Sequence, residues 1–122
     1  MPLLKAHKKL KVWQEAMALV AVVYSVTEKL PPSEKYGLIS QMRRAAVSIP
    51  SNIAEGAARQ SSKESIQFYS IARGSLSELD TQIELCVSLK MIGGDDLSHL
   101  SSHLLQVDAL LNGLIRFKKR IP

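Results

Sequence analysis

Cysteine, aromatic residues and long apolar runs are all scarce in this chain of 122 residues. A single cysteine, Cys86, rules out a disulfide within the chain and favours a reducing compartment. Aromatic residues make up 5% of the sequence, which leaves few platforms on which nucleic-acid bases could stack. No apolar run approaches the roughly 20 residues that cross a bilayer, and the basic start lacks the apolar core of a signal peptide. These absences predict a soluble, cytoplasmic protein without a membrane partner.

Motifs that carry enzymatic chemistry are also missing. The sequence contains no glycine-rich phosphate loop, nucleophile elbow, Cys-His signature or Glu-x-x-His motif of the carboxylate-bridged metal bundles. His99 and His103 are four residues apart and could present two imidazoles to one metal, but no third ligand lies nearby in the sequence. Cys86 falls in the apolar spacing of a helix, where a thiol usually behaves as a small buried hydrophobe. We therefore expect no catalytic residues, no cofactor and no metal, and predict that the protein is not an enzyme.

The net charge of +5 is concentrated at the two ends of the chain. Each end carries four basic residues and no acidic one, so the middle of the chain is acidic, with a net charge of −3. Basic ends attract phosphate backbones or anionic surfaces without reading a sequence, although they also serve solubility alone. The residues concerned are Lys5, Lys8, Lys9 and Lys11 at one end and Arg116, Lys118, Lys119 and Arg120 at the other.

Glycine and proline divide the sequence into four helical segments, and none shows the period-two alternation of a half-buried strand. The first helix, at about residues 10–29, is apolar over more than one face, which suggests a second partner beyond its own core. Ser33 is a candidate cap for the second helix, and Ser61 with Glu64 forms a capping box for the third. We expect Gly93 and Gly94 to end the third helix, and Asp95 or Asp96 to cap the fourth.

The third and fourth helices each carry an apolar seam with spacings of three and four, which is typical of helices packed at shallow angles. Short connections make neighbouring helices antiparallel. The sequence therefore predicts an all-α fold: an antiparallel, up-down-up-down four-helix bundle. A single domain at residues 1–122 is expected, with its core at about 10–117 and basic termini at 1–11 and 116–122.

Residues 36–59 join an apolar helical stripe to a polar one and carry a proline between them. Pro50 removes one helical hydrogen bond and introduces a ring clash, so we predict that the second helix is kinked near it. Side-chain oxygens of Ser48, Ser51 and Asn52 could accept hydrogen bonds from backbone donors freed at the break.

Arginines near this segment allow two interpretations. Arg43, Arg44, Arg59 and Lys63 could contact phosphates together with the basic termini. Alternatively, these arginines make salt bridges between helices or subunits, for example from Arg44 or Arg59 to an acidic residue of the third helix. The predicted nucleic-acid-binding set is Lys5, Lys8, Lys9, Lys11, Arg43, Arg44, Arg59, Lys63, Arg116, Lys118, Lys119 and Arg120.

Three separated segments carry a family resemblance. They are residues 10–16 (LKVWQEA), residues 36–56 with the core SQMRRAAVSIPSNIAEG, and residues 72–82 beginning ARGSLSEL. Over about residues 8–117 the chain resembles the 23S rRNA intervening-sequence proteins, four-helix bundles whose biochemical role is generally unassigned. Members of that family resemble the accessory proteins of diversity-generating retroelements, which form homopentamers and engage nucleic acid and a reverse transcriptase. The resemblance thus implies self-association, a pentamer, and either RNA, DNA or a protein as partner.

Two hypotheses of function follow. The first is a non-enzymatic, oligomeric bundle that binds RNA or other nucleic acid through phosphate contacts. The alternative is a protein-interaction scaffold whose arginines make salt bridges to subunits or partners.

Overall fold

A computed structural model describes residues 3–121, and within this range the chain is helical without any β-strand. Two single-turn 3-10 helices precede the first and second α-helices. The prediction of an all-α four-helix bundle is confirmed. The 3-10 helices are Ala6–Lys9 and Pro32–Glu34, and the α-helices are α1 (Lys11–Thr27), α2 (Leu38–Ala57), α3 (Ser62–Ser88) and α4 (Gly94–Lys119). None of the described helices is long and apolar enough to cross a membrane.

Each α-helix packs against two others around one core. The neighbouring pairs are α1 with α2, α2 with α3, α3 with α4 and α4 with α1, so α1 and α3 occupy opposite corners. Leu19, Ile49, Leu79 and Leu111, one from each helix, are fully shielded from solvent. Burial of each such side chain stabilises the fold by roughly 1.5–3 kcal/mol.

Contacts between helix ends set the register of the bundle. The Lys29 ammonium, just after α1, lies 3.2 Å from an Asp96 carboxylate oxygen in the first turn of α4. Ser65 in the first turns of α3 donates a 2.7 Å hydrogen bond to the carbonyl of Gly56 near the end of α2. Both contacts join the end of one helix to the beginning of its neighbour, which favours the predicted up-down order.

The helix α2 continues through Pro50, which is buried. The Ser51 hydroxyl donates to the Val47 carbonyl at 2.8 Å, and the Asn52 amide donates to the Ser48 carbonyl at 2.8 Å. These side chains therefore act as donors to carbonyls, not as the predicted acceptors. Both hydrogen bonds join a side chain to the carbonyl four residues back on the same helix, whereas the carbonyl that Pro50 leaves without its helical N–H donor is that of Ala46. A kink at this proline stays a prediction.

The predicted cap of α2 is wrong. Ser33 lies inside the 3-10 turn Pro32–Glu34, and α2 begins only at Leu38. The Glu34 carboxylate accepts a hydrogen bond from the Leu38 backbone N–H at 3.2 Å, so it satisfies the first donor of the helix from four residues away.

The predicted capping box of α3 is confirmed in one half, because the Ser61 hydroxyl accepts from the Glu64 backbone N–H at 3.2 Å. In the other half the Glu64 carboxylate accepts from the Ser61 hydroxyl at 3.0 Å instead of from the Ser61 backbone N–H. The predicted end at Gly93 and Gly94 is wrong, since α3 ends at Ser88. Lys90 adopts a left-handed φ of 60°, and the Met91 N–H reaches the Cys86 carbonyl at 2.8 Å. This is a Schellman ending with lysine at the position where glycine is usual.

The predicted cap of α4 is also wrong. The helix begins at Gly94, after Gly93 in the cap position, so Asp95 and Asp96 lie inside its first turn. Carboxylates in a first helical turn interact favourably with the positive end of the helix dipole, so both residues still stabilise this end of α4.

Candidate nucleic-acid interface

The N-terminal basic segment packs beside the second half of α2. The 3-10 helix Ala6–Lys9 contacts α2, and His7 lines a groove together with Pro50 and Ala54. The His7 ring also meets Trp13 edge to face, with ring centroids 5.2 Å apart. The lysines that flank and form this turn are therefore held near the C-terminal end of α2.

The C-terminal basic segment lies at the same end of the bundle. Lys29 and Asp96 are in contact at the other end of the bundle. Lys11, at the start of α1, is 18 residues before Lys29, and Leu114 on α4 is 18 residues after Asp96. At 1.5 Å per residue both distances are about 27 Å. The basic residues that follow Leu114 are thus placed level with the start of α1 and slightly beyond it.

The connection between α2 and α3 brings in two further cations. Gly56 and Ser65 are hydrogen-bonded across this connection, and Arg59 and Lys63 lie between them. Register along α1 and α2 places Arg59 level with Lys11, because both are 16 residues from the hydrogen-bonded pair Thr27 and Arg43.

We call residues 3–11, 55–64 and 116–121 the basic end. It contains ten basic and two acidic residues, a formal charge of +8, whereas the rest of the chain has six basic and nine acidic residues, a charge of −3. The structure thus unites ten of the twelve predicted residues. These are Lys5, Lys8, Lys9, Lys11, Arg59, Lys63, Arg116, Lys118, Lys119 and Arg120, of which Lys8 and Lys118 are half-buried and the others exposed.

Some of these cations already have partners. One Arg59 guanidinium nitrogen lies 2.6 Å from a Glu55 carboxylate oxygen, and the guanidinium stacks over the Phe68 ring at 4.8 Å. The Lys8 ammonium donates to the Leu3 carbonyl. The predicted bridge from Arg59 to an acidic residue of the third helix is wrong, because Glu55 on its own helix is four residues away and forms the pair instead.

Arg43 lies apart from the basic end. Its Nε donates to the hydroxyl of Thr27 at 2.9 Å, and its guanidinium lies over the Tyr24 ring at 4.4 Å from the centroid. The 16 residues between Arg43 and Arg59 correspond to about 24 Å along α2. Arg43 therefore connects α2 to the end of α1, and does not join the basic termini in one surface.

Arg44 is exposed beside α3, in a groove that Glu78 also lines. Within residues 3–121 the ion pairs are Lys29 with Asp96 and Arg59 with Glu55. The predicted salt bridge from Arg44 to an acidic residue of the third helix is therefore not formed inside the chain.

The role of Thr27 escaped prediction. This residue is fully buried, and its hydroxyl donates to the Val23 carbonyl at 2.7 Å while accepting from Arg43. A threonine in the last turn of a helix is common, and its partner is 16 residues further along the chain, so no local pattern marks the contact.

The reactive side chains lie outside the basic end. Cys86 is buried, as predicted, with its sulfur 3.7 Å from that of Met42. Burial raises the pKa of the Cys86 thiol, and the negative charge of Glu34 raises this pKa further. His99 and His103 have ring centroids 5.8 Å apart, and no group of three or more His, Cys, Asp or Glu residues in the described chain could hold a metal ion.

Comparison with known proteins agrees with the fold and with the segments described above. The family model of the 23S rRNA-intervening sequence proteins matches residues 8–113. A search of curated proteins found no match. Because the family match covers most of the chain, the protein belongs to the 23S rRNA-intervening sequence protein family, whose role is unassigned.

Proposed function

We propose that this protein is a non-enzymatic, oligomeric bundle that binds RNA or other nucleic acid through phosphate contacts at the basic end. The observation that carries the proposal is the convergence of ten basic residues, from three separate parts of the sequence, on a surface with a formal charge of +8. Such a surface attracts a polyanion and releases its counterions on binding.

Contacts to the phosphate backbone fit this surface better than contacts to bases. Reading bases in single strands needs exposed aromatic rings, and the basic end offers one exposed phenyl ring, that of Phe117, which is 58% exposed. Tyr69 is buried in the core, and Phe68 lies under the Arg59 guanidinium. Lysines without neighbouring aromatic rings bind phosphate as point charges and do not discriminate sequence.

The test is a titration of a labelled structured RNA at several salt concentrations. Replacing Lys118 and Lys119 by alanine should weaken binding and reduce the slope of log affinity against log salt by roughly 1.4–1.8, at 0.7–0.9 per lost phosphate contact. The matched control replaces Lys35 and Lys90, two exposed lysines away from the basic end, and should leave the slope unchanged. Absence of binding by the unmodified protein at low salt would refute the proposal.

The proposal includes assembly into a pentamer in the cytoplasm, as the resemblance to accessory proteins of diversity-generating retroelements implies. Sedimentation equilibrium tests the assembly. Five chains of 13.5 kDa would form a closed ring of about 68 kDa, and a mass that does not change on dilution would support closure. A monomer would refute the oligomeric part.

A scaffold for protein interaction is the second candidate. The exposed Arg44, which has no ion pair within the described chain, favours it. Replacement of Arg44 by alanine separates the two functions. Loss of the oligomer with intact RNA binding would favour the scaffold, whereas an intact oligomer with weaker RNA binding would favour a direct phosphate contact.

A further inference from the structure

An apolar cavity of about 380 Å³ opens on the surface between α1 and α2, at the border of the basic end. The N-terminal 3-10 helix contacts both α1 and α2, so it forms a third wall. Within residues 3–121, no carboxylate, lysine or arginine lines this cavity. We call it the α1/α2 cavity. Its lining includes Trp13, Met17, Val47, Pro50, Ser51 and Ala54.

The N-terminal turn gives the cavity an aromatic wall that is fixed in place. The Gln14 side-chain amide donates to the Lys8 carbonyl at 2.9 Å, which ties the turn to the first turn of α1. The His7 and Trp13 rings both line the cavity and meet at an interplanar angle of 67°. Because the rings meet edge to face, they form a corner instead of a stack. The aromatic wall is therefore formed before any ligand binds.

The opposite wall is open and mostly apolar. Met17 is 46% exposed and Val47 is 41% exposed, although both lie in the middle of long helices. The Ser51 hydroxyl donates to the Val47 carbonyl at 2.8 Å, so its oxygen is left to accept a hydrogen bond from a ligand. Apolar cavities of roughly 300–1,000 Å³ with a few polar groups are typical binding sites for small ring compounds. The α1/α2 cavity thus fits a flat ring whose edge carries hydrogen-bond donors.

Cations lie on both sides of this cavity along the bundle. The lysines of the N-terminal turn are on one side, within the basic end. On the other side Val47 also lines a neighbouring surface, which includes Arg43 and the exposed Arg44. Ala54 and Arg44 are ten residues apart on α2, which corresponds to about 15 Å. A ligand that places a flat ring between two anionic groups matches this arrangement, and a nucleotide within a strand is such a ligand.

We propose that the α1/α2 cavity receives the base of an unpaired nucleotide of RNA, while phosphates on either side of this nucleotide contact the basic end and Arg44. The substrate class is then a structured RNA that carries a bulge or loop. A continuous duplex keeps its bases stacked inside the helix and offers none to the cavity. Because few polar groups line the cavity, it accepts an unpaired base without reading which base it is. The inference rests on the proposed RNA binding at the basic end.

The test uses three labelled RNA hairpins that share one stem. The first is fully paired, the second has one bulged adenosine, and the third has an abasic nucleotide at the bulge. Trp13 is the single tryptophan of the chain, so its fluorescence reports on the cavity directly. The adenosine bulge should quench this fluorescence and bind roughly tenfold more tightly than the paired hairpin, as stacking of one base on an aromatic ring allows. The abasic hairpin should behave like the paired one, which separates the base from the bend that a bulge introduces.

A matched pair of variants of the full chain tests the cavity itself. Ala54→Met fills the cavity without adding charge, so it should abolish the preference for the adenosine bulge and leave the affinity for the paired hairpin unchanged. Ala109→Met is the control, because Ala109 is exposed on α4 and does not line the cavity. This control should retain the preference. Helical circular dichroism should be the same for both variants.

The outcomes separate this inference from the proposed function. If the paired and bulged hairpins bind equally and leave Trp13 fluorescence unchanged, or if the abasic hairpin is preferred as strongly as the adenosine bulge, the inference is overturned while phosphate binding at the basic end stands. If Ala54→Met changes the sedimentation of the chain but keeps the preference, the cavity joins two copies and the inference is also overturned. Absence of binding of all three hairpins at low salt would overturn the inference together with the proposed function.

Discussion

Gly56 lies where α2 meets α3, and we predict that Gly56→Ala destabilises the protein. A Cβ atom at this position would lie 2.5 Å from Cε1 and 2.8 Å from Cδ1 of the Tyr69 ring, and 3.0 Å from the Ser65 carbonyl oxygen. Tyr69 is 1% exposed, so its ring has no room to move away. The backbone is held in place as well, because the Ser65 hydroxyl donates to the Gly56 carbonyl at 2.7 Å.

The size of the effect follows from two opposing terms. Forcing a methyl group into a packed site costs about 1–3 kcal/mol. Alanine is better than glycine in a helix interior by up to about 1 kcal/mol, and by less at Gly56, which is the second-last residue of α2. We therefore expect a net loss of about 1–2 kcal/mol in the free energy of unfolding.

Urea denaturation at one fixed chain concentration measures this loss, since assembly itself adds to apparent stability. Gly113→Ala is the control, and it should stabilise the protein by about 0.5–1 kcal/mol because its Cβ position meets no other atom closer than 3.9 Å. In a double-mutant cycle, Gly56→Ala should destabilise the Tyr69→Leu variant by about 1–3 kcal/mol less than it destabilises the unmodified protein, because the smaller leucine removes the clash. If Gly56→Ala is as stable as Gly113→Ala, the reasoning is refuted.

Three further predictions concern single side chains. Thr27→Val should lower the free energy of unfolding by about 1–3 kcal/mol in urea denaturation, because it leaves the half-buried Arg43 without its 2.9 Å acceptor, and an unchanged value would contradict this role. Lys90→Gly should raise the thermal midpoint, with a gain of about 1 kcal/mol from relief of the left-handed φ of 60°, whereas Lys90→Ala should not. Cys86 should react with a thiol reagent only after unfolding, since burial and the negative charge of Glu34 raise the pKa of its thiol above the ordinary 9.0. The stability that the protonated thiol contributes is complete below pH 9 and is lost as the pH rises further, because the unfolded chain then releases this proton first. Rapid labelling of the folded protein at pH 8 would contradict the prediction of a protected thiol.

The helices themselves were predictable, because apolar side chains repeat with spacings of three and four in each segment. Their ends were less so. Lys90 follows the end of α3 in a left-handed conformation, which the presence of a lysine in the sequence does not predict. The hydrogen bonds of the turn determine where α3 ends, and the residue type at position 90 does not. Ser33 is a residue type that often caps helices, but together with the prolines before it Ser33 forms a separate 3-10 turn, and α2 begins only at Leu38.

The candidate site was predictable in its parts and not in its arrangement. The sequence shows two basic termini, and only the packing of α4 against α1 brings Lys119 and Lys9 to one end. The adjacent arginines 43 and 44 look equivalent in sequence, yet helix geometry turns the first towards Thr27 and leaves the second exposed. Contacts across 16 residues depend on how two helices cross, which a local pattern does not record.

The uneven placement of charge gives each bundle an electric polarity along its length. A formal charge of +8 at one end and −3 over the remainder makes the molecule a dipole as well as a cation. The electric field of a polyanion attracts the basic end and repels the acidic remainder, so the molecule is oriented with its basic end towards the polyanion before contact. Because the molecule is oriented before contact, more of its encounters with a polyanion lead to binding, so association should be fast at low ionic strength. The association rate should decrease sharply once added salt makes the Debye length shorter than the bundle.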